Sequence, residues 1–349
     1  MRIIDLRSDT VTKPSPEMWE MIKSLDNSKI GDDVYGEDPT INKLEKKAAK
    51  IIGKEAALYV TSGTQGNLVS LLSHTNPGEK ILLEELSHIY EHEFDGATRV
   101  AGLKIKRYPS KRGVPLLDDL QNLINTKEDA HKAPTTLICA ENTHNYHGGA
   151  IIRPEDLQNM KKFAEKNDLK FHLDGARIFN AAIGINMPVT EFTKHVDSVM
   201  FCLSKGLSCP VGSIVAGSKS LIMKARKFRK ILGGGMRQAG IIASFGLVAL
   251  EPKWIKRLEE DHKNAKLLAE GIENLDLPIK IQKPDTNILM ISLPQDIRII
   301  KVITALNKEG ILAFNIDKQR IRLVTYFGIT KDDIEYSIEV IGKVLRKFF

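Results

Sequence analysis

Residues 169–177, Leu-Lys-Phe-His-Leu-Asp-Gly-Ala-Arg, are the stretch that decides the fold. A short apolar run that ends in glycine predicts a buried strand, and in an open α/β sheet ligands bind where the strands reach their carboxyl ends. Asp174 and Arg177 therefore lie where a ligand is expected, although an aspartate in this position also commonly caps a following helix. A second predicted strand, 198–203, ends just before Lys205 and brings that lysine to the same edge.

Lys205 and Asp174 together suit one kind of chemistry. A neutral lysine amine condenses with an aldehyde, and a carboxylate that faces a pyridine nitrogen keeps the ring protonated and able to accept electrons. By itself, Lys205 has the ordinary alternative of a solvated surface cation. Its apolar surroundings, Phe-Cys-Leu-Ser-Lys-Gly-Leu, do not favour full exposure.

Residues 62–67, Ser-Gly-Thr-Gln-Gly-Asn, are a candidate phosphate site. They follow a predicted strand and precede an apolar helix, whose first N–H groups and positive dipole end attract anions. A simple helix cap and turn is the alternative. The segment does not have the glycine-lysine pattern of a nucleoside-triphosphate loop, and no dinucleotide glycine motif follows a strand, so neither nucleotide class is favoured.

The order of the predicted elements indicates an α/β architecture followed by a small α+β unit. Buried strands that alternate with helices indicate a mostly parallel sheet, here of seven strands. These strands are 56–60, 80–84, 103–108, 136–140, 169–173, 198–203 and 212–217, with helices at 66–73 and 155–167. A long helix is predicted from 253 to about 275, then strands at 280–283, 287–293, 312–315 and 320–324 and helices at 297–308 and 331–347. We therefore expect an arm (1–28), a large domain (29–252) and a small domain (253–349).

Composition excludes several classes of protein. The chain has 349 residues, 42% of them hydrophobic and 27% charged, which is typical of globular proteins. Its net charge of +7 comes from scattered lysines and arginines rather than a basic stripe, so nucleic acid is not an expected partner. There is no membrane-length apolar run, no secretory signal and no paired cysteine motif among the three cysteines, which predicts a cytoplasmic protein.

The histidines point to a flat ligand rather than to a metal. His88 follows a predicted strand and is a candidate for stacking on an aromatic cofactor. His88 and His92 have helical ligand spacing, but no third ligand is evident, so we expect no metal site. His131, His144 and His147 surround the strand at 136–140 and are more often structural residues.

Seven motifs, in order along the chain, resemble the low-specificity L-threonine aldolases, which are pyridoxal-phosphate enzymes of the aspartate-aminotransferase fold (fold type I). They are LRSDTVTKPS, GDDVYGEDPT, SGTQGN, ENTHN, HLDGAR, CLSKGL and LGGGMRQAG. The resemblance extends from Asp5 to about Gly328. It implies cleavage of L-threonine, L-allo-threonine and related β-hydroxy-α-amino acids to glycine and an aldehyde.

The resemblance also implies a role for each matching residue. Lys205 is the residue that carries the cofactor, Asp174 faces its ring nitrogen, and His88 stacks on the ring. The implied cofactor-binding set is Gly63, Thr64, Gln65, His88, Asp174, Arg177, Ser204, Lys205, Lys230 and Arg237. Lys230 and Arg237 resemble residues that reach the phosphate from a neighbouring subunit, which implies a homo-oligomer with shared sites, usually a tetramer.

The implied substrate-binding set is Ser8, His88, His131, Arg177 and Arg322. Arg177, Arg322 and Ser8 are expected to hold the carboxylate, and His131 to lie near the substrate hydroxyl. The base that takes the hydroxyl proton is His88, His131 or a water between them. Another pyridoxal-phosphate reaction, β-elimination or racemisation, is the nearest alternative, and a non-catalytic binding protein is a more distant one.

The chain departs from the expected family pattern at a few places. Gln65 stands where methionine is frequent, Ser208 and Cys209 replace a glycine-alanine pair, and Tyr326 replaces a histidine. These positions affect the phosphate loop and the preferred aldehyde rather than the roles of Lys205 and Asp174.

Overall fold

The computed structural model describes residues 2–125 and 131–349. The strands are β1 (Ile4–Asp5), β2 (Ala56–Val60), β3 (Lys80–Glu84), β4 (Lys104–Tyr108), β5 (Ser110–Lys111), β6 (Val114–Pro115), β7 (Thr135–Glu141), β8 (Lys170–Asp174), β9 (Ser198–Cys202), β10 (Ser213–Gly217), β11 (Lys280–Gln282), β12 (Ile288–Ser292), β13 (Ile311–Leu312), β14 (Phe314–Asn315) and β15 (Arg320–Val324). The helices are α1 (Pro16–Lys23), α2 (Pro39–Ile52), α3 (Gly63–His74), α4 (His88–Glu91), α5 (Gly96–Arg99), α6 (Leu117–Gln121), α7 (Pro154–Lys166), α8 (Ile178–Gly184), α9 (Val189–Thr193), α10 (Lys219–Ile231), α11 (Gly240–Ala249), α12 (Pro252–Lys256), α13 (Leu258–Glu273), α14 (Ile299–Lys308) and α15 (Lys331–Leu345).

The large sheet has seven strands in the order β2-β10-β9-β8-β7-β3-β4. β10 is antiparallel to both of its neighbours, and the other neighbouring strands of this sheet are parallel. The predicted mostly parallel seven-stranded sheet is therefore confirmed. β3, β9 and β10 are buried along their whole length because helices cover both faces of the sheet. This burial is why these strands appear in the sequence as continuous apolar runs. Each of the seven predicted strands is present, with ends shifted by no more than one residue.

A second, antiparallel sheet in the order β11-β12-β15-β14 follows near the end of the chain. The strand β1 does not join either of these sheets but pairs in parallel with β13. Ile4 of this strand and Leu6 just after it are buried among the apolar residues of α13, α14, α15 and the small sheet. The first residues of the chain therefore pack with the last hundred.

Two predicted elements are interrupted in the structure. The predicted long helix from 253 divides at Arg257, where Glu260 N–H bonds to the Arg257 carbonyl three residues back and so tightens the turn. The Arg257 guanidinium also bonds to the Gly206 carbonyl, which anchors this break to the large sheet. The predicted strand 312–315 is two short strands, because its halves pair with different partners, β13 with β1 and β14 with β15.

The apolar residues form one large core around the seven-stranded sheet and another around the small sheet. α1 packs on the large core, with the Trp19 and Phe245 rings 5.5 Å apart. Trp254 and Leu258 belong to the same core. The proposed divisions after residues 28 and 252 stay a prediction. Among the described residues, no helix is both long and apolar enough to span a membrane.

Candidate active site

The strand order brings the predicted residues to one edge of the large sheet. Adjacent strands β9, β8, β7 and β3 all end at this edge, and the residues at or just after their ends are Lys205, Asp174, Glu141 and His88. A ring nitrogen of His88 and an oxygen of Asp174 lie within 4.8 Å of each other, and the charge of Lys205 also acts on the His88 ring. The Glu141 carboxylate accepts the His88 backbone N–H at 2.7 Å and ties β7 to the start of α4.

The Asp174 carboxylate is buried, with 2% of the residue exposed. One oxygen accepts the Ala176 backbone N–H at 3.0 Å, and the other accepts the Asn67 side-chain amide at 2.8 Å. Each of these donors leaves the charge of the carboxylate in place. Asp174 is therefore built as a fixed, dry carboxylate rather than as a helix cap.

The amino end of α3 fits a phosphate. A Cβ atom on Gly63 would lie 3.0 Å from the Cys202 Sγ, and one on Gly66 would lie 2.6 Å from the Met200 side chain. These two glycines let the helix start directly over β9, next to Ser204 and Lys205. The first backbone N–H groups of a helix have no intrahelical partner, so those at Gly63 and beside the exposed Thr64 are suited to bind an anion.

Gln65 lies in the candidate phosphate loop and packs against neighbouring segments. Its backbone N–H is taken by the Ser62 hydroxyl, and its side-chain oxygen accepts from Thr61. A Cβ atom on Gly234 would meet the Gln65 amide at 2.2 Å, so the loop after α10 packs on this side chain. The Gln65 side chain thus fastens two loops together, and its predicted contact with the cofactor stays a prediction.

His88 is held by Glu93. Its Nδ1 lies 3.0 Å from the Glu93 carboxylate, and about a third of the His88 side chain is exposed. Burial lowers the pKa of His88, but the hydrogen bond from Glu93 and the charge of Asp174 outweigh burial and raise it overall. This partner leaves Nε2 as the ring atom available to a ligand.

Arg177 is paired with a carboxylate of the chain itself, and its predicted contact with a substrate carboxylate stays a prediction. Its Nε and Nη2 each donate to the Asp9 carboxylate at 2.7 Å, and both residues are buried. The planar fork of the guanidinium is therefore filled by a carboxylate of the chain itself. Ser8, the neighbour of Asp9, is buried and uses its hydroxyl to cap the short turn that follows it.

Arg322 remains the better candidate for the substrate carboxylate. Its Nη1 donates to the Asn145 side chain at 2.6 Å and its Nη2 to the Arg7 carbonyl at 3.0 Å. Its Nε is buried and has no hydrogen-bond partner among the described residues. Burial, together with the nearby Arg177, lowers the pKa of Arg322 to about 10. A buried arginine with an unused donor favours an anionic ligand.

His131 lies outside the site of its own chain, and its predicted place near the substrate hydroxyl stays a prediction. It is exposed and precedes β7, at the amino ends of the parallel strands, whereas Asp174 and Lys205 lie at the carboxyl ends. A single chain therefore cannot bring His131 and His88 together, and His131 can act only at the site of another chain.

Lys230 and Arg237 are exposed, and Arg237 pairs with Asp32 at 2.8 Å. Their contact with a neighbour's phosphate stays a prediction.

Five residues of the site were not assigned a role from the sequence, namely Asp9, Asn67, Glu93, Asn145 and His172. Four of them stand inside the motifs RSDT, SGTQGN, ENTHN and HLDGAR. In Phe-His-Leu-Asp, the alternation along β8 already places His172 and Asp174 on the same face of the sheet. That signal alone could have identified His172 as a neighbour of the site.

The sheet topology and the lysine–aspartate pair at its strand ends define the fold-type-I architecture of pyridoxal-phosphate enzymes. Residues 5–295 match the beta-eliminating lyase family. The chain belongs to this family and, within it, groups with the low-specificity L-threonine aldolases.

Individual proteins agree with this assignment. Low-specificity L-threonine aldolase 1 of Arabidopsis thaliana is 40% identical over 97% of this chain and 95% of its own length. The low specificity L-threonine aldolase of Escherichia coli K12 is 40% identical over 84% of this chain and 86% of its own length. The solved structure of Leishmania major threonine aldolase has a TM-score of 0.84 at 20% identity and covers 98% of this chain and 99% of that chain.

Proposed function

We propose that the protein is a carbon–carbon lyase that cleaves L-threonine, L-allo-threonine and related β-hydroxy-α-amino acids to glycine and an aldehyde. The observation that carries this proposal is the charge balance of the site. Arg177, Arg322 and Lys205 meet there, and Asp9 is the carboxylate on which all three charges act. On this side of the site Asp9 offsets only one of these charges, and the positive charge that remains beside it suits the carboxylate of an amino acid. The relatives named above are L-threonine aldolases.

The cofactor we propose is pyridoxal 5′-phosphate, because the donor set fits each part of that molecule. Lys205 is placed to bind its aldehyde, buried Asp174 to hold the proton of its ring nitrogen, and the start of α3 to bind its phosphate. His88 borders the same space with its Nε2 available. When bound, the cofactor supplies an electron sink for the pair of electrons released at the substrate Cα.

The side chains of this chain have three tasks in the cleavage. Arg322 binds the substrate carboxylate and thereby orients the bonds of Cα. Asp174 is fixed in position by its two hydrogen-bond donors. The Cα–Cβ bond breaks as a base takes the β-hydroxyl proton, and Cα then receives a proton to give glycine. We assign the base role to His88, because an imidazole titrates near neutral pH.

We also propose that the active unit is a homo-oligomer, with tetramers as the expected form and the cytoplasm as the expected compartment. The position of His131 supports shared sites, since only a neighbouring chain could bring that residue to the substrate. Exposed apolar side chains support a further interface, with Ile231 75% and Tyr35 76% exposed in the single chain.

The test is to mix the purified protein and pyridoxal phosphate with L-threonine and, separately, L-allo-threonine. Acetaldehyde and glycine are the expected products, and 2-oxobutyrate with ammonia would instead indicate β-elimination. Lys205→Ala should lose both the visible absorption of the bound cofactor and at least about a thousandfold of the activity. Lys219→Ala, an exposed lysine at the start of α10, is the matched control. Full activity and unchanged absorption in Lys205→Ala would contradict the proposal.

A further inference from the structure

A stripe of polar side chains lies between α3 and the large sheet, where apolar packing is the rule. Asn67 and His74 lie seven residues apart on the face of α3 that covers β8 and β9, and they meet His172 and Ser198 of those strands. His172 and Ser198 are paired across β8 and β9. Asn67, His172 and Ser198 are buried. A buried polar stripe is costly unless each of its members is satisfied.

The Asn67 amide is the centre of this stripe. Its Nδ2 donates to the Asp174 carboxylate and to the Glu93 carboxylate, both at 2.8 Å. Its Oδ1 lies 3.2 Å from the His172 Nε2. One oxygen of Glu93, one of Asp174 and a ring nitrogen of His88 all lie within 4.8 Å of one another. One amide group thus stands between two carboxylates that would otherwise repel each other.

The two carboxylates determine the direction of every hydrogen bond in the stripe. An amide oxygen cannot face two carboxylates, so Asn67 must turn its NH₂ group to them and its oxygen to His172. The His172 Nε2 must therefore carry the proton, and its Nδ1 must accept from the Ser198 hydroxyl at 2.8 Å. The Ser198 oxygen then accepts from the His74 Nε2 at 2.7 Å. Burial lowers the pKa of both His172 and His74 to about 3, so each ring is neutral and has the one N–H that this order requires.

We propose that Asn67 is a positioning residue that holds the Asp174 carboxylate in place for the cofactor's ring nitrogen and couples it to the Glu93–His88 pair. This inference rests on the proposed function. The stripe behind Asn67 acts by orientation and not by proton transfer, because an amide between two partners does not pass a proton along. A substitution at Asn67 should therefore affect two groups. It should affect the ring nitrogen of the cofactor through Asp174, and the proposed base His88 through Glu93.

The first experiment needs no substitution. Nitrogen NMR of the histidine rings in the cofactor-free protein at neutral pH should show His172 and His74 as neutral rings protonated at Nε2. Protonation of His172 at Nδ1, or a charged His172 ring, would overturn the proposed order of the hydrogen bonds and with it the role of Asn67.

The second experiment compares Asn67→Ala, the isosteric Asn67→Asp and the control Ser73→Ala. Ser73 is a buried residue of the same helix whose hydroxyl donates to the Val69 carbonyl. Without the amide between them, the two carboxylates attract protons more strongly, so the pKa of His88 in cofactor-free protein should rise. The titratable groups that face His88 are Glu93, Asp174, Lys205, Glu141 and His92. Asn67→Asp should raise this pKa further than Asn67→Ala, by about one pH unit, and Ser73→Ala should leave it unchanged.

The third measurement follows the visible absorbance of the bound cofactor against pH. We expect its midpoint to move by about one pH unit in Asn67→Ala, and to move much less when Glu93→Gln is also present, because one of the two repelling charges is then gone. A purely structural role would give the same shift with and without Glu93→Gln, and this result would overturn the proposal. If the wild type does not cleave threonine while these shifts occur, the proposed function fails and the role of Asn67 stands. If the wild type cleaves threonine and no shift occurs, the proposed function stands and the role of Asn67 fails.

Discussion

The two sides of the active site differ in how completely their polar groups are satisfied. On the cofactor side, the Asp174 carboxylate has a donor for each oxygen, and the stripe behind it has a partner at every step. On the carboxylate side, the charges of Arg177 and Asp9 both act on Arg322. The buried Arg322 Nε has no hydrogen-bond partner among the described residues. The first side is organised before any ligand arrives, whereas the second side becomes satisfied only when an anion binds.

The difference follows from how each side is assembled. Asp174, His172 and Asn67 belong to long elements of one sheet–helix layer, which packing holds rigid. Arg322 instead meets the Arg7 carbonyl and Asn145 from two distant parts of the chain. Substitutions on the two sides should therefore separate effects on the chemical step from effects on substrate binding.

The largest effect is expected on the cofactor side, from Asp174→Asn. The amide has no negative charge to keep a proton on the ring nitrogen, so kcat should fall on the order of a thousandfold, or about 4 kcal/mol. Substrate affinity should change little. Steady-state kinetics checks this, with Asp285→Asn, a partly exposed carboxylate paired with Arg112, as the control. If Asp174→Asn affected only KM, the cofactor side and the carboxylate side would not have the separate roles that we expect.

On the carboxylate side, Arg322→Leu should raise KM for L-threonine roughly a hundredfold with a smaller change in kcat, since it removes the bidentate donor for the substrate carboxylate. The absorbance of the bound cofactor should not change. Arg320→Leu is the control, because Arg320 lies two residues away on β15 and pairs with Asp317. If Arg322→Leu leaves KM unchanged, the substrate carboxylate binds elsewhere.

Asp9→Asn should destabilise the fold as well as the carboxylate side. Burial tends to raise the pKa of Asp9, but the Arg177 charge and hydrogen bonds lower it to about 2 overall, against an ordinary value of 3.8. The carboxylate therefore contributes about 2 kcal/mol above about pH 4, and this contribution disappears as the pH falls towards 2. Denaturant unfolding at pH 7 should show a loss of at least that size. Asp5→Asn, which breaks a more exposed pair with Arg7, should cost far less.

The smallest effect is expected from Glu93→Gln, as a shift in pH dependence. If His88 is the base, it must be neutral, so activity falls as the pH drops through the pKa of His88, which lies above its ordinary 6.5. Removing the Glu93 charge should lower this pKa and move the acidic limb of kcat/KM to lower pH by about one unit. Glu91→Gln, at the exposed end of α4, is the control. An acidic limb that does not move would exclude His88 as the base.

The sequence by itself determined the seven-stranded sheet and the positions of Asp174 and Lys205 at its edge. These predictions succeeded because buried strands are short apolar runs, and because a residue just after such a run must lie at the strand's carboxyl end. The family resemblance then placed His88 and Arg322 in the same site.

Only the tertiary structure decided which of these residues meet. Arg177 is bonded to Asp9, far away along the chain, and His131 lies at the opposite edge of the sheet from His88. Asn67 stands in the motif SGTQGN, which is evident in the sequence. Its role, however, depends on its contacts with Glu93 and with Asp174 and His172 of β8, which α3 brings within reach. A local sequence pattern indicates which side chains of one segment are buried. Which donor meets which acceptor depends instead on how separate segments pack, and no short stretch of sequence contains that information.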